Sequence, residues 1–296
     1  MTKKLKEPKP PKPEKEPSSW QIGFAIHQMK NDAAFRAIII AREGHTLVEF
    51  DAAGQEFRWM AIASGDQTML QLCMPGEDPH SFMGSRIDTS WEYRNLIRLN
   101  AAEDKPAKLV RKSGKVGNLS LQYRTSAPTF YVRARVDYDM HITMKEAQHI
   151  HFIYPRTYPG VPIYWAKQIA LVKQLGYVET FAGSRVQVVG DWTGRYKWAM
   201  GSTAINYRIQ GTGADQKYLA LSVLSDYCND VGARFILDMH DGLMFEVPDD
   251  KVSEFCATGK RLLDNLPYEK AWGFSPPIPM PFDCKIGKSW GTLKGV

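Results

Sequence analysis

No run of apolar residues in this 296-residue chain approaches the ~20 needed to cross a bilayer, so a membrane-spanning protein is not expected. The basic N-terminus is not followed by an apolar stretch, which argues against a secretory signal. Cysteine is scarce. Cys73, Cys228, Cys256 and Cys284 lie too far apart for a Cys-x-x-Cys metal or redox motif and are too few for a secreted disulfide framework, so a reducing cytoplasm is the expected compartment. There is no internal repeat and no long linker. Outside the first 17 residues there is also little excess of one charge sign: the chain carries +6, and six lysines less three glutamates place +3 of it in "MTKKLKEPKPPKPEKEP".

What is present is a globular composition. With 44% hydrophobic and 11% aromatic residues the chain can bury a large core, as one big domain or two smaller ones. The lysine-proline segment 1–17 cannot bury enough apolar area to offset ordering; it reads as a disordered or polyproline-like arm, either a solubilising tail or an arm for a partner or nucleic acid. After it, "HTLVEF" predicts a short strand over 46–50 that gives way beyond Asp51 to a helical pattern. From about 59 to 190 the pattern is mainly helical, broken at "MPGEDP", "EDKPAK", "SAPT" and "RTYPGVP". "SRVQVVGDW" is extended, residues 202–228 form a long helix, and "ARFILDM" with "LMFEVP" form the arms of a hairpin. Strands thus flank a helical insertion.

Asp241 falls in the bend of that hairpin, where Gly242 would supply a permissive backbone, and Asp51 leaves a strand in the same manner. Two such carboxylates side by side would repel unless a cation lay between them, and hard divalent ions take oxygen ligands of this kind. Taken alone, the spacing leaves a two-magnesium site and a plain hairpin turn beside a strand end both open. Arg111, Lys115 and Leu119 follow i, i+4, i+8 spacing, with Tyr123 continuing the row, which suits a triphosphate, a sugar and a base but also a solvated basic face. Gly114 and Gly117 weaken this helix by roughly 1 kcal/mol each relative to alanine and would ease its movement. Asn206 and Gln210 are spaced i, i+4 beside Gly211 and Gly213, a pattern open to minor-groove reading or to an ordinary polar face.

Three ordered blocks resemble the family A, polymerase I type, DNA polymerases. "DAAGQEFRWMAIASGD" is similar to the family's motif A, "RKSGKVGNLSLQY" to motif B and "MHDGLMFEVP" to motif C. "DPHSF", "GYVETFAGSR", "INYRIQGTGAD" and "GKSWG" are also family-like. The resemblance implies an α+β fold: an antiparallel palm sheet interrupted by helical fingers, with the thumb and exonuclease absent. Palm would occupy 18–58 and 196–296, and fingers 59–195.

It also implies roles. Asp51 and Asp241 would hold two Mg2+ ions, with Mn2+ as a substitute; Glu56 would gate the sugar. Arg58, His80, Arg111, Lys115, Leu119 and Tyr123 would bind the nucleotide, the cations and His80 neutralising its phosphates. Asn206, Gln210 and His240 would contact DNA. Three positions depart from the pattern: Gly242 where a glutamate is usual, Leu119 where an aromatic ring is, and Arg124 where a glycine is. The Thr-Gly-Arg primer-contacting segment and thumb that precede motif A in the family have no counterpart here. The expectation is therefore the catalytic subunit of a split, phage-type polymerase, acting on primer-template DNA and dNTPs in the (host) cytoplasm. A second polypeptide carrying the thumb, with or without a 3′-5′ exonuclease, would join near residues 18–44. The alternative is a non-catalytic primer-template-binding scaffold.

Overall fold

The computed structural model describes residues 36–296 except Arg195 and His240, so the arm expected over 1–17, the stretch 18–35 and the DNA contact expected of His240 lie outside the described residues. An antiparallel sheet gathers strands from both ends of the described chain. Its order is β4 (Arg234–Asp238), β5 (Gly242–Pro248), β1 (His45–Ala52), β6 (Phe282–Gly287) and β7 (Lys294–Gly295). β1 runs slightly longer than the five residues read from sequence, because pairing on both sides extends it through Asp51.

Alternation along β1 sends Val48 and Phe50 to one face and Leu47, Glu49 and Asp51 to the other. The first face is the core. Phe50, Phe245 and Phe255 meet there with ring centroids 5.5–6.3 Å apart. Phe255 comes from helix α10 (Val252–Leu263), and Gly259 of the same helix admits the Phe50 ring, since a Cβ would lie 2.5 Å from Phe50 Cζ. The second face carries the charged groups discussed below.

Between β1 and β4 the chain is mostly helical: α1 (Gln55–Ser64), α2 (Gln67–Leu72), α3 (Pro79–Ile87), α4 (Tyr93–Ala101), α5 (Lys105–Leu121), α6 (Ala127–Val136), α7 (Met144–Thr157), α8 (Gly160–Leu175) and α9 (Lys197–Val231). The breaks read from sequence are helix junctions. Asp78, Asp104 and Ser126 cap α3, α5 and α6, each with a proline in the first turn, where a missing N–H costs nothing. A small hairpin, β2 (Tyr177–Glu179) and β3 (Arg185–Gln187), precedes α9. α11 (Tyr268–Trp272) and the strands β6 and β7 complete the chain.

The glycines of α5 do not behave as the sequence suggested. A Cβ on Gly114 would stand 2.0 Å from the His80 carbonyl oxygen and 2.5 Å from Gly84 N, and one on Gly84 would stand 2.6 Å from Val110 O. Gly114 therefore lets α3 and α5 cross backbone to backbone; its effect is to lock the pair rather than loosen it. At Gly117 the nearest atoms are side-chain carbons of Ile150 and Met83 at 3.4–3.8 Å, ordinary contact.

Candidate active site

Asp51 and Asp241 come together at one end of the sheet. Asp51 faces Gly242 across the β1–β5 ladder, and the Ala52 N–H donates to the Asp241 carbonyl at 2.9 Å, pinning the two aspartates side by side. The N–H of Met239 donates to Gly242 O at 2.9 Å and closes the bend. Burial, and then the neighbouring Asp241 carboxylate, push Asp51 up to about 7, with Lys285 pulling the other way. Two crowded carboxylates of this sort suit a hard divalent cation: their oxygens match its preference and its charge would relieve their repulsion. Among the described residues no group of three or more acidic, histidine or cysteine side chains gathers as a metal-ligand cluster.

Gly242 has a different reason from the one read in the sequence. It does not occupy the left-handed region. It starts β5, buried, and a Cβ would lie 3.2 Å from Met239 Cε and 3.4 Å from both Asp51 Oδ1 and Phe50 O. A side chain there would press on the Met239 tip and need it to shift by a few tenths of an ångström, so local space rather than turn conformation bears on this position.

Beside the pair, Glu56 sits in the first turn of α1. Its two carboxylate oxygens accept from Gln122 Nε2 at 3.0 Å and Gln210 Nε2 at 3.1 Å, so one side chain ties α1 to the end of α5 and to α9. Tyr123 lies nearby; burial and the Glu56 charge raise its phenol well above the ordinary range. α5 ends at Leu121, so Tyr123 is in the following turn rather than on the helical row with Arg111, Lys115 and Leu119. The next residue, Arg124, has φ 59°, a left-handed conformation that costs a non-glycine residue on the order of 1 kcal/mol.

Along α5, Lys115 is exposed, while Arg111 is held by Asp78, with Nε 2.7 Å from Oδ2. His80 is tucked between α3 and α5. Asn118 Nδ2, which can only donate, lies 3.3 Å from its Nδ1, so the ring proton belongs on Nε2. Burial, followed by Arg111 and Lys115, lowers His80 to about 4. At neutral pH it is an uncharged donor, which corrects the expectation that it neutralises phosphate charge. Arg58 is also committed elsewhere: its guanidinium donates to the carbonyls of Ala53, Cys73 and Pro279 at 2.6–2.9 Å, making it a clamp between segments. Asn206 keeps a buried Oδ1 without a partner among the described residues, one helical turn before Gln210.

Other residues of the site carried no readable sequence signal. Lys285 on β6 pairs with buried Glu49 at 3.0 Å and stands 3.8 Å from Asp51 Oδ2, because the ladder sets Glu49 opposite Lys285. Two adjacent residues of α9 brace the aspartates from behind. Gln216 Oε1 accepts from Gln55 Nε2 at 3.2 Å and Trp59 Nε1 at 2.8 Å, which anchors the start of α1 just past Asp51. Lys217, its side chain only 10% exposed, donates to Asp238 Oδ2 at 2.7 Å and to Met239 O at 2.9 Å, which anchors the bend before Asp241. One helix thus references both carboxylates to each other.

Known DNA polymerases are similar to this chain over most of its length. DNA polymerase I of Thermus aquaticus is 28% identical over 262 residues (88% of this chain, 28% of the relative), and that of Deinococcus radiodurans 29% identical over 257 residues (86% and 24%). A Mycobacterium phage DNA polymerase is 28% identical over 266 residues (90% and 38%). The chain therefore spans between a quarter and two-fifths of the length of these relatives. Among solved structures, the POL domain of an M. smegmatis polymerase, in complex with DNA primer-template and dNTP, superposes with a TM-score of 0.72 at 25% identity, covering 88% of this chain and 42% of that one. The profile of DNA polymerase family A matches residues 19–292, and the chain belongs to that family.

Proposed function

We propose that this chain is the nucleotide-adding part of a template-directed DNA polymerase, with the sheet acting as the palm and the α1–α8 helices as the fingers. The observation that carries the proposal is the pairing of Asp51 with Asp241 at the sheet end. Asp51 and Asp241 would hold Mg2+, which when bound lowers the pKa of the primer 3′-hydroxyl and stabilises the leaving pyrophosphate. Lys115 meets the nucleotide phosphates directly, and Arg111 joins it by exchanging Asp78 for phosphate. His80 donates from Nε2. Glu56, fixed by Gln122 and Gln210, presents its carboxylate where a 2′-hydroxyl would need room. Asn206 and Gln210 reach minor-groove acceptors, which every correct pair shares.

The polymerase reading extends to a partner. Ile38 and Ile40, each 67% exposed just ahead of β1, suit a second polypeptide that carries the thumb. The test is Mg2+-dependent extension of a primed template by the wild type, by Asp51→Ala and by Asp241→Ala. Both variants should lose nucleotide addition yet keep DNA affinity, since phosphate contacts lie elsewhere. Extension by either variant refutes the metal-binding assignment, and a wild type that binds primed DNA without extending it supports the scaffold alternative.

A further inference from the structure

Lys285 stands between a buried glutamate that needs its charge and a site aspartate that would rather meet a metal. The β1–β6 ladder sets Lys285 opposite Glu49 and Asp283 opposite Asp51, so these four side chains share one face of the sheet. Lys285 Nζ lies 3.0 Å from Oε1 of Glu49, which is only 6% exposed, and 3.8 Å from Asp51 Oδ2. A lysine that served only to neutralise buried Glu49 would need no second carboxylate. This one reaches past Glu49 to the aspartate pair, and its side chain stays 38% exposed.

The consequence is electrostatic. Asp241 crowds Asp51 from β5, Glu49 adds a third carboxylate two positions back along β1, and Asp283 on β6 is exposed to solvent. Lys285 is the cation set among them. An ammonium and a divalent ion are drawn to the same carboxylate oxygens and repel each other, so the presence of one weakens the hold on the other. Seen from Asp51, the Glu49–Lys285 pair is not neutral, because Lys285 acts on it more strongly than Glu49 does.

We propose that Lys285 is a resident counter-ion of the Asp51–Asp241 site, shared with Glu49, which steadies Asp51 in the free protein and lowers the affinity of the site for divalent cations. This rests on the reading of the two aspartates as metal ligands, and the test separates the two. Mn2+ binding to the full chain is measured by electron paramagnetic resonance of the free ion, without DNA or nucleotide, and the share lost in Asp241→Asn is taken as that of the site. Lys285→Met should tighten this share by roughly five-fold or more, the scale for a unit charge a few ångströms away at a half-exposed position. Lys285→Arg keeps the charge and should stay within about two-fold of wild type. Glu49→Gln turns the whole charge of Lys285 onto Asp51 and should weaken binding. A plain structural ion pair predicts the opposite sign for Lys285→Met, since a damaged fold weakens the site. Where that variant loses its fold, the Glu49→Gln, Lys285→Met double variant removes the buried charge with its partner, and it should bind Mn2+ more tightly than Glu49→Gln alone. A site share that removal of Lys285 does not tighten overturns the counter-ion; if Asp241→Asn takes no binding away even from the Lys285→Met protein, the metal-ligand reading falls instead.

Discussion

Replacing Gly114 by alanine separates two physical accounts of α5 by sign. If the glycine merely loosens the helix, alanine removes backbone freedom from the unfolded chain and should stabilise the protein by roughly 0.5–1 kcal/mol. The packing predicts the opposite. The new methyl group would sit 2.0 Å from the His80 carbonyl oxygen and 2.5 Å from Gly84 N, both backbone atoms that no rotamer change can move. Relief requires α3 and α5 to separate by more than 1 Å, and forced overpacking of this kind costs about 1–3 kcal/mol even after relaxation. Netting the propensity gain, Gly114→Ala should lose about 1–2 kcal/mol, a fall in Tm of a few degrees for a chain of this size. Separation would also displace His80 from Arg111 and Lys115, so nucleotide KM should rise. Gly117→Ala is the control, since only the Ile150 and Met83 side chains stand near and at 3.4–3.8 Å, and it should be neutral or slightly stabilising. Urea unfolding of both variants decides the matter: a Gly114→Ala protein at least as stable as wild type would refute the close-crossing account.

The raised Asp51 carboxyl makes metal-free stability pH-dependent. The folded-state value of about 7 lies above the ordinary 3.8, so the unfolded chain ionises first and this group's contribution declines as pH rises from about 4 to 7, then levels off. Asp51→Asn should flatten that decline in EDTA and be the more stable protein at pH 8; parallel wild-type and variant curves would count against it. Lys217→Met removes a buried cation from Asp238 and Met239 O and should cost about 1–2 kcal/mol, because Asp238 can still be solvated. It should lower kcat more than it raises nucleotide KM, with Lys217→Arg recovering part; unchanged kcat would remove Lys217 from positioning Asp241. Glu56→Ala should admit ribonucleotides in single-nucleotide addition, and continued exclusion would show that the block lies elsewhere.

Local patterns in the sequence were enough for much of this molecule. The apolar run into Asp51, the hairpin arms around Asp241, the long helix and the proline-marked junctions each reflect alternation, helical period or capping over a few residues, and the ordered blocks identified the family. The reasons behind individual glycines and charges were not legible. Gly114 and Gly242 looked like flexible or turn residues because both uses have the same local signature, and only the arrival of α3 shows that close approach requires Gly114, and only that of Met239 and Phe50 shows what stands against Gly242. His80 looked like a cation until burial beside Arg111 and Lys115 made the charged form unfavourable. Lys285 and Lys217 looked like surface lysines. The β1–β6 register sets one 3.8 Å from Asp51, and the packing of α9 sets the other beneath the Asp241 bend. Sequence determined which segments form helix and strand, since those choices rest on neighbours along the chain; tertiary structure decided which charges and small residues meet at the site, since those depend on groups up to 236 positions away.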